Sequence, residues 1–270
     1  MSCDYPRTAF PVEGGIAFEK PHGHSGAEIK IPCKMCIGCR LDHRTNWSTR
    51  MICEAQTHDQ SHFITFTYSP EALPANADVQ QSDMQRFFKR LRKDIAPRKI
   101  RYVYSAEYGD QYSRPHYHAI IYGLVIPDLR RCDTNDRGEP LYRSEYLDRI
   151  WTHGYTMTGA VTQQSCGYVA GYMLKDSKGN YDKREPYLCV NPETGEMTER
   201  KRPFARYSSR PGIGKDWLLK YYKSVFIAND DKVLLPDLTI RPTPPYFFDQ
   251  LKEIDPELYA QVKEKRAASI

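Results

Sequence analysis

Two apolar segments separated by a short polar turn constrain the fold more than any other feature of the sequence. Arg101 to Glu107 and Pro115 to Tyr122 have the apolar and aromatic content of strands. The turn between them contains Gly109-Asp110 and is too short to hold a crossover helix. Because strands joined by a short turn pair antiparallel, the chain is restricted to folds that contain an antiparallel sheet.

The segments around this hairpin alternate between strand and helix patterns. A strand is predicted from His62 to Tyr68, and the following helix carries Ser82 and Gln85 at the spacing of a capping box. The apolar face of that helix consists of Met84, Phe87, Phe88 and Leu91. Further along, the sequence predicts a short helix near Ser144 to Trp151, a strand near Tyr155 to Val161 and a helix from about Gln163 to Lys175. The order β-α-β-β-(α)-β-α predicts an α+β fold, with a ferredoxin-like antiparallel sheet and helices on one face.

Three regions are predicted from changes in pattern. Residues 1–60 form a cysteine-rich amino-terminal segment with a helix from Arg40 to Glu54, residues 61–185 form the core, and residues 186–270 form a carboxy-terminal extension. The extension contains a basic stretch and a helix from Asp216 to Phe226. Between these two, Arg210-Pro-Gly-Ile-Gly214 is predicted as an ordinary turn, and the alternative is a loop that offers backbone N–H groups to a phosphate.

Composition excludes some classes of protein. No apolar run approaches the ~20 residues that span a bilayer, and the first thirty residues lack the apolar core of a secretory signal, so we expect no membrane partner and a cytoplasmic location. In that reducing compartment the eight cysteines are expected to be thiols or metal ligands. The net charge of +5 suits a polyanionic partner without requiring one.

Two histidines two residues apart indicate a metal site. His116 and His118 lie on a predicted strand, so their side chains project from the same face of the sheet. Folding of the hairpin brings Glu107, on the preceding strand, beside them. Two imidazoles and one carboxylate are ligands that a divalent cation accepts. The alternative is that the histidines are polar surface or hydrogen-bonded filler.

Two tyrosines and a lysine share one face of the last core helix. Tyr168 and Tyr172 are four residues apart, and Lys175 falls on the same side. A phenol with an ordinary pKa near 10 needs a nearby cation or base to act as a nucleophile, and the ammonium of Lys175 can help by its charge. The alternative is a core helix whose aromatic residues only pack.

Three cysteines in seven residues form a second candidate metal site. Cys33, Cys36 and Cys39 have spacing typical of zinc sites, and Cys3 is the preferred fourth ligand. The rival fourth ligands are His22, His24 and His43, and three reduced thiols without metal are the alternative. The scattered Cys53, Cys132, Cys166 and Cys189 are predicted to be structural.

Three ordered motifs carry a resemblance to a known family. Phe63-Ile-Thr-Phe-Thr-Tyr68, His116-Tyr-His118 and the segment from Tyr168 through Tyr172 to Lys175 resemble the motifs of rolling-circle replication initiators of the HUH endonuclease superfamily. Pro32-Cys-Lys-Met-Cys-Ile-Gly-Cys-Arg40 with Trp47 and Arg50, the double tyrosine, and Ser209-Arg-Pro-Gly-Ile-Gly214 look most like the initiators of gokushovirus-type microviruses.

The resemblance implies an HUH endonuclease fold and a reaction. His116 and His118, with Glu107 as acidic third ligand, would bind Mg²⁺ or Mn²⁺. Tyr172, and Tyr168 as the second tyrosine, would nick single-stranded DNA at a replication origin, form a 5′-phosphotyrosyl bond and later rejoin the strand. The sequence departs from helicase-bearing initiators in having no Walker-type phosphate loop, so a host helicase and polymerase are the expected partners.

Two rival functions use the same residues differently. A transposase or conjugative relaxase would share the chemistry, although relaxases usually place the tyrosine before the histidines. A zinc-containing nucleic-acid-binding regulator would use the histidines structurally and cleave nothing.

Overall fold

The computed structural model describes residues 3–23, 26–74, 76–109, 114–173, 187–190 and 194–268. The strands within those residues are β1 Arg7–Val12, β2 Gly15–Ala17, β3 Ile29–Ile31, β4 Ser61–Tyr68, β5 Arg101–Tyr108, β6 Pro115–Tyr122, β7 Arg130–Thr134, β8 Pro140–Arg143, β9 Gly154–Ala160, β10 Tyr187–Val190, β11 Met197–Arg200, β12 Phe204–Tyr207, β13 Lys232–Leu234 and β14 Ile240–Pro242. The helices are α1 Ile37–Ala55, α2 Gln81–Asp94, α3 Glu145–Trp151, α4 Gln163–Met173, α5 Lys215–Lys223, α6 Pro245–Ile254 and α7 Pro256–Ala268, and α5 continues into a π-helical turn at Ser224–Ala228.

A seven-stranded antiparallel sheet lies at the centre, with the strand order β12-β5-β6-β4-β9-β8-β7. The predicted hairpin is confirmed, since β5 and β6 pair antiparallel from Arg101 opposite Tyr122 to Tyr108 opposite Pro115. Strand β4 pairs with β6 on one side and with β9 on the other. The elements β4, α2, β5, β6, α3 and β9 therefore form the β-α-β-β-α-β core of a ferredoxin-like motif, and the α+β class is confirmed.

Both faces of the central sheet are covered by helices, so the prediction of helices on one face is wrong. Phe87 of α2 and Leu147 of α3 belong to the core on one face. Met51 of α1 and Val169 of α4 belong to the core on the other. The physical reason is in β6, which is buried on both sides apart from the half-buried His116, because a strand with two apolar faces needs cover on each.

The boundaries of the core elements agree closely with the sequence predictions, with one exception at α2. That helix starts at Gln81 after an N-cap residue, Gln80, whose side chain makes no capping bond, so the predicted capping box is wrong. The hydroxyl of Ser82 lies in the first turn and donates to the neighbouring carboxylate of Asp83 instead. By contrast, Ser144 caps α3 as its sequence position indicates, accepting a hydrogen bond from the Leu147 amide.

The carboxy-terminal residues are more structured than a polar tail. Helices α5, α6 and α7 build a third core around Trp217, Phe247, Leu251 and Val262, and Cys53 of α1 joins it. Strand β12 also comes from the predicted extension, yet it pairs with β5 at the edge of the central sheet. The segment from Arg210 to Gly214 is a turn, as predicted.

The carboxylate of Glu54 ties this third core to α1. Its Oε2 accepts the amide of Gly214 at 2.7 Å, and its Oε1 forms an ion pair with Arg101 at 2.9 Å. Glu54 is fully buried, so these partners replace its hydration. Across the described residues, no helix combines the length and the apolar character needed to cross a bilayer.

Candidate active site

Three strands carry the predicted metal ligands to one face of the sheet. Glu107 on β5 lies directly opposite His116 on β6, and His118 lies opposite Ser105 on β5 and Thr65 on β4. Nε2 of His118 is 2.6 Å from Oε1 of Glu107. The predicted juxtaposition of Glu107 with the histidine strand is therefore present.

The imidazole of His118 is held in one orientation by its neighbours on β4. Its Nδ1 is 3.0 Å from the hydroxyl oxygen of Thr65. The ring also stacks on Phe63, with 5.7 Å between the centroids and 5° between the planes. These two contacts direct Nε2 towards Glu107 and leave the position of the ring little freedom.

Helix α4 brings Tyr168 to the same place. The phenol donates a hydrogen bond to Oε1 of Glu107 at 2.6 Å, and its oxygen is 3.5 Å from Nε2 of His118. The ring of Tyr172 lies one helical turn further on, with its centroid 5.1 Å from that of Tyr168. Tyr168 is 39% exposed, so a substrate can approach its hydroxyl from solvent.

The start of α4 is fixed on both sides. The hydroxyl of Ser165 accepts the amide of Thr162, while the hydroxyl of Thr162 accepts the amide of Ser165, so two backbone donors at the helix start are satisfied reciprocally. One residue before Tyr168, the carbonyl of Gly167 accepts a hydrogen bond from Nε of Arg44 on α1 at 2.8 Å. A Cβ at Gly167 would lie 3.2 Å from that same nitrogen, so glycine permits the close approach.

The site favours an ionised carboxylate beside neutral phenol and imidazole groups. Burial would raise the pKa of Glu107, but hydrogen bonds from His118, Tyr168 and Tyr172 and the charge of His118 outweigh it and lower the pKa. Burial, together with hydrogen bonds to Glu107 and Tyr172, raises the pKa of Tyr168. Burial lowers the pKa of His116, which leaves its imidazole available as a neutral ligand at neutral pH.

The donor set fits a divalent cation, with one adjustment. Oε2 of Glu107 is buried and has no hydrogen-bond partner among the described residues, and a cation would satisfy it. His116, whose Nδ1 is 2.7 Å from the carbonyl oxygen of Arg114, does not form a group with His118 and Glu107 in which all ligand atoms lie within 4.8 Å. Binding one ion through all three residues therefore requires His116 to move closer. Lys175 lies outside the described residues.

The four predicted cysteines do form such a compact group. Their sulfur atoms all lie within 4.8 Å of one another. Two measured pairs are Cys33 with Cys39, at 4.0 Å, and Cys3 with Cys36, at 3.8 Å. A tetrahedron with Zn–S bonds of about 2.3 Å has sulfur atoms about 3.8 Å apart, so the group could hold a metal such as zinc.

Backbone donors around the cysteines favour thiolates. Sγ of Cys33 accepts the amides of Met35 and Cys36, and these bonds lower the pKa of Cys33 to about 6. The pKa of Cys39 is raised to about 12, chiefly by burial, and a bound cation would offset that effect.

The other cysteines and the rival ligands lie apart from this group. His22 and His43 do not belong to it, and His24 lies outside the described residues. Cys53 and Cys166 are buried, as expected of structural thiols, whereas Cys132 is exposed on β7. The side chain of Cys189 is outside the described part of the structure.

Sequence reasoning missed the residues that support the site. Thr65 and Phe63 hold His118, and Arg44 contacts the helix that carries Tyr168. The alternation of Phe63, Thr65 and Thr67 on one face of β4 was a usable signal for the first two. Nothing in the local sequence around Arg44 indicates its partner, which is 123 residues away.

Comparison with known proteins defines the class of this chain. The family model for replication-associated proteins of the ORF2 type matches residues 61–177, which include β4 to β6 and α4. Over 274 aligned residues the chain is 30% identical to Replication-associated protein VP4 of Bdellovibrio phage phiMH2K, covering 98% of this chain and 82% of that protein. It is also 30% identical to Replication-associated protein ORF2 of Spiroplasma virus 4, covering 87% and 72% of the two chains.

The chain therefore belongs to the family of replication-associated proteins of microvirus- and gokushovirus-like phages. A further member, Replication-associated protein ORF4 of Chlamydia phage 1, is 27% identical over 54% of this chain and 38% of its own length. No solved structure matches the chain.

Proposed function

We propose that this protein initiates rolling-circle replication by nicking single-stranded DNA at an origin. The observation that carries the proposal is the meeting of the Tyr168 hydroxyl with Glu107 and His118 on one face of the sheet, at 2.6 and 3.5 Å. A phenol, a buried carboxylate and an imidazole in contact are the groups that a tyrosine-dependent phosphodiester transfer needs.

A divalent cation such as Mg²⁺ or Mn²⁺, held by His116, His118 and Glu107, would supply charge that polarises the scissile phosphate. The buried, unpartnered Oε2 of Glu107 supports such a site. Thr65 would keep His118 in the tautomer that presents Nε2 to the ion.

The tyrosines would perform the transfer. A phenolic oxygen attacks the phosphorus in line, a bond from tyrosine to the 5′ phosphate forms, and the bond to the 3′ oxygen breaks. The phenol proton passes towards Glu107, which already accepts the hydrogen bond of Tyr168, and the departing 3′ oxygen gains a proton and becomes the primer end.

Tyr172, the position that the family resemblance favours for the first attack, lies one turn away and would allow a second transfer that releases or rejoins the strand. Lys175 would lower the cost of the phenolate by its charge.

A basic concave surface at the other end of β5 would bind the DNA backbone. It encloses about 720 Å³, and its cationic lining residues are Arg92, Arg98, Lys99, Arg101 and Arg210. Arg101 and Glu107 are six residues apart on one strand, which corresponds to about 20 Å at about 3.3 Å per residue. A single strand of several nucleotides spans that length, and host helicase and polymerase would act on the opened origin inside the bacterial cell.

A label-transfer assay tests the proposal. A single-stranded origin oligonucleotide labelled at its 3′ end is incubated with the protein and Mg²⁺ or Mn²⁺, and label that migrates with the denatured protein reports the covalent bond. We expect adduct with the wild type, a reduced yield for Tyr168→Phe and Tyr172→Phe, and none for the double variant or for His118→Ala.

Two results decide against the proposal. Tyr221→Phe, in the third core, is the matched control and should form adduct normally. Equal adduct yields from the double tyrosine variant and the wild type would contradict a tyrosine nucleophile. DNA binding without any label transfer by the wild type would favour the nucleic-acid-binding regulator.

We also propose that Cys3, Cys33, Cys36 and Cys39 bind one structural zinc ion. The sulfur spacing and the backbone donors support this, and Cys36 is also the N-cap residue of α1. The ion would tie the residues around β1 and β3 to the start of α1, where a small amino-terminal sheet has little core of its own.

A further inference from the structure

A cavity of about 430 Å³ opens directly beside Tyr168 and His118. It lies between β9, the start of α4 and the hairpin formed by β7 and β8. Cavities of this size accept small organic groups when apolar side chains surround them and a few polar groups fix the orientation. The reaction proposed above uses the phosphate at one side of this cavity and gives no role to the rest of it.

One part of the lining is apolar and the opposite part is polar. Phe63, Leu141 and Met157 supply aromatic, aliphatic and thioether surface. Asn135, Arg137 and Gln164 supply amide and guanidinium groups at the edge. Flat apolar surface beside amide groups is the combination that accepts a nucleobase, because the ring stacks and its edge forms hydrogen bonds.

Gly159 keeps the middle of the cavity open. It lies on β9 opposite Phe63, and a Cβ there would be 3.4 Å from Cδ2 of Leu141 and 4.0 Å from Cδ1 of Phe63. These are ordinary contact distances, so a larger side chain at this position fits the strand and fills the space that a ligand would occupy.

The hairpin turn that borders the cavity is internally braced. Oδ1 of Asn135 accepts the amides of Arg137 and Glu139 at 3.0 and 2.9 Å, and Nδ2 of Asn135 donates to the carboxylate of Glu139 at 2.7 Å. A border that is already hydrogen-bonded loses little conformational freedom on binding, which favours recognition of one defined group.

We propose that this cavity binds one unstacked base of the single-stranded DNA, from a nucleotide next to the scissile phosphate. The inference rests on the proposed nicking function and adds a determinant of where the nick falls. Gln164 is the exposed residue that reads the edge of the base, and Phe63 provides the ring that supports its face. A base held there places its own phosphate near Tyr168, because base and phosphate belong to one nucleotide.

Binding of uncleaved oligonucleotides tests the cavity independently of cleavage. Fluorescence anisotropy is measured with origin oligonucleotides that carry one abasic residue at each position around the nick. With the wild type, we expect one abasic position to weaken binding by about 5- to 150-fold, the range for loss of one stacked base, and the other positions to have smaller effects.

A cavity-filling variant then identifies the cavity as the cause. Gly159→Leu should bind the intact oligonucleotide as weakly as the wild type binds the sensitive abasic one, and should lose nothing further on the abasic one. Gly15→Leu is the matched control, since a side chain at Gly15 meets nothing within 4 Å. A second variant, Gln164→Ala, should change the base preference at the sensitive position alone.

The failures of the two proposals are distinguishable. If Gly159→Leu retains the wild-type sensitivity to the abasic position, or weakens binding equally at all positions, the cavity does not hold a base. Tight binding of a free deoxynucleoside monophosphate that equals the oligonucleotide would also overturn the inference, since the cavity would then be a small-molecule site. Absence of covalent adduct with normal abasic sensitivity would instead refute the nicking function.

Discussion

Replacement of Thr65 by valine isolates the contribution of one hydrogen bond to the proposed metal site. Valine has nearly the shape of threonine, so packing is retained while the hydroxyl 3.0 Å from Nδ1 of His118 is removed. The change leaves His116, Glu107 and both tyrosines untouched. Its effect should therefore be on the orientation and basicity of His118.

The expected magnitude follows from two estimates. Loss of one neutral hydrogen bond is worth about 0.5–1.5 kcal/mol, or about a 2- to 13-fold change in an equilibrium constant. Loss of an outer partner of a metal-bound histidine typically costs about 10- to 100-fold in metal affinity or activity. Because the stacked Phe63 ring still holds His118 in place, we expect about a tenfold rise in the metal concentration that gives half-maximal adduct.

The assay is the yield of covalent adduct as a function of Mg²⁺ or Mn²⁺ concentration. Thr65→Ser keeps the hydroxyl and should restore the wild-type curve. Thr67→Val is the matched control, since Thr67 lies opposite His116 on the same strand and makes no hydrogen bond to it among the described residues. If Thr65→Val needs no more metal than Thr67→Val, the hydroxyl does not support a metal ligand.

Three further outcomes are expected. Glu54→Ala should lower the free energy of unfolding by about 3–5 kcal/mol, because a buried charge partner of Arg101 is lost, and urea denaturation showing under about 1 kcal/mol would contradict this. Purified protein should contain about one zinc per chain by elemental analysis, and Cys36→Ser should lower both the zinc content and the melting temperature; metal-free wild type with unchanged melting would refute the site. Arg98→Ala and Arg210→Ala should each reduce the slope of log affinity against log salt by about 1, and unchanged slopes would remove the basic surface from the DNA path.

The hairpin of β5 and β6 was predictable because its information is local. Each strand has its own apolar pattern, and the turn fixes their relative direction before any other contact is considered. The same locality brought Glu107 to the histidine strand. For α4, helical spacing placed Tyr168 and Tyr172 on one side, as observed.

The full extent of the sheet was not predictable, because its outer strands depend on distant partners. Strand β12 is only four residues long and pairs with a strand about a hundred residues earlier. The hairpin of β7 and β8 has exposed or half-buried residues throughout, so it lacks the apolar pattern that marks a strand. The placement of α1 over the second face likewise depends on contacts across the whole core.

Within the candidate site, the residues that carry charge or reactive groups were predictable and those that orient them were not. His118, Glu107 and Tyr168 belong to residue types with distinctive chemistry. Thr65 and Phe63 are common strand residues, and only the observed register shows that they contact His118. The HUH endonuclease fold and the assignment of catalytic roles stay predictions.

The placement of α1 sets a lower limit on the length of a working fragment. The family match begins at residue 61, after α1 has ended, yet Trp47 and Met51 of that helix cover the outer side of α4. A truncated protein that starts at the match would expose Cys166, Val169 and Ala170 to water, and it would lose the guanidinium of Arg44 that meets the backbone beside Tyr168. Any minimal version intended for DNA processing or for engineering therefore has to begin upstream of residue 37.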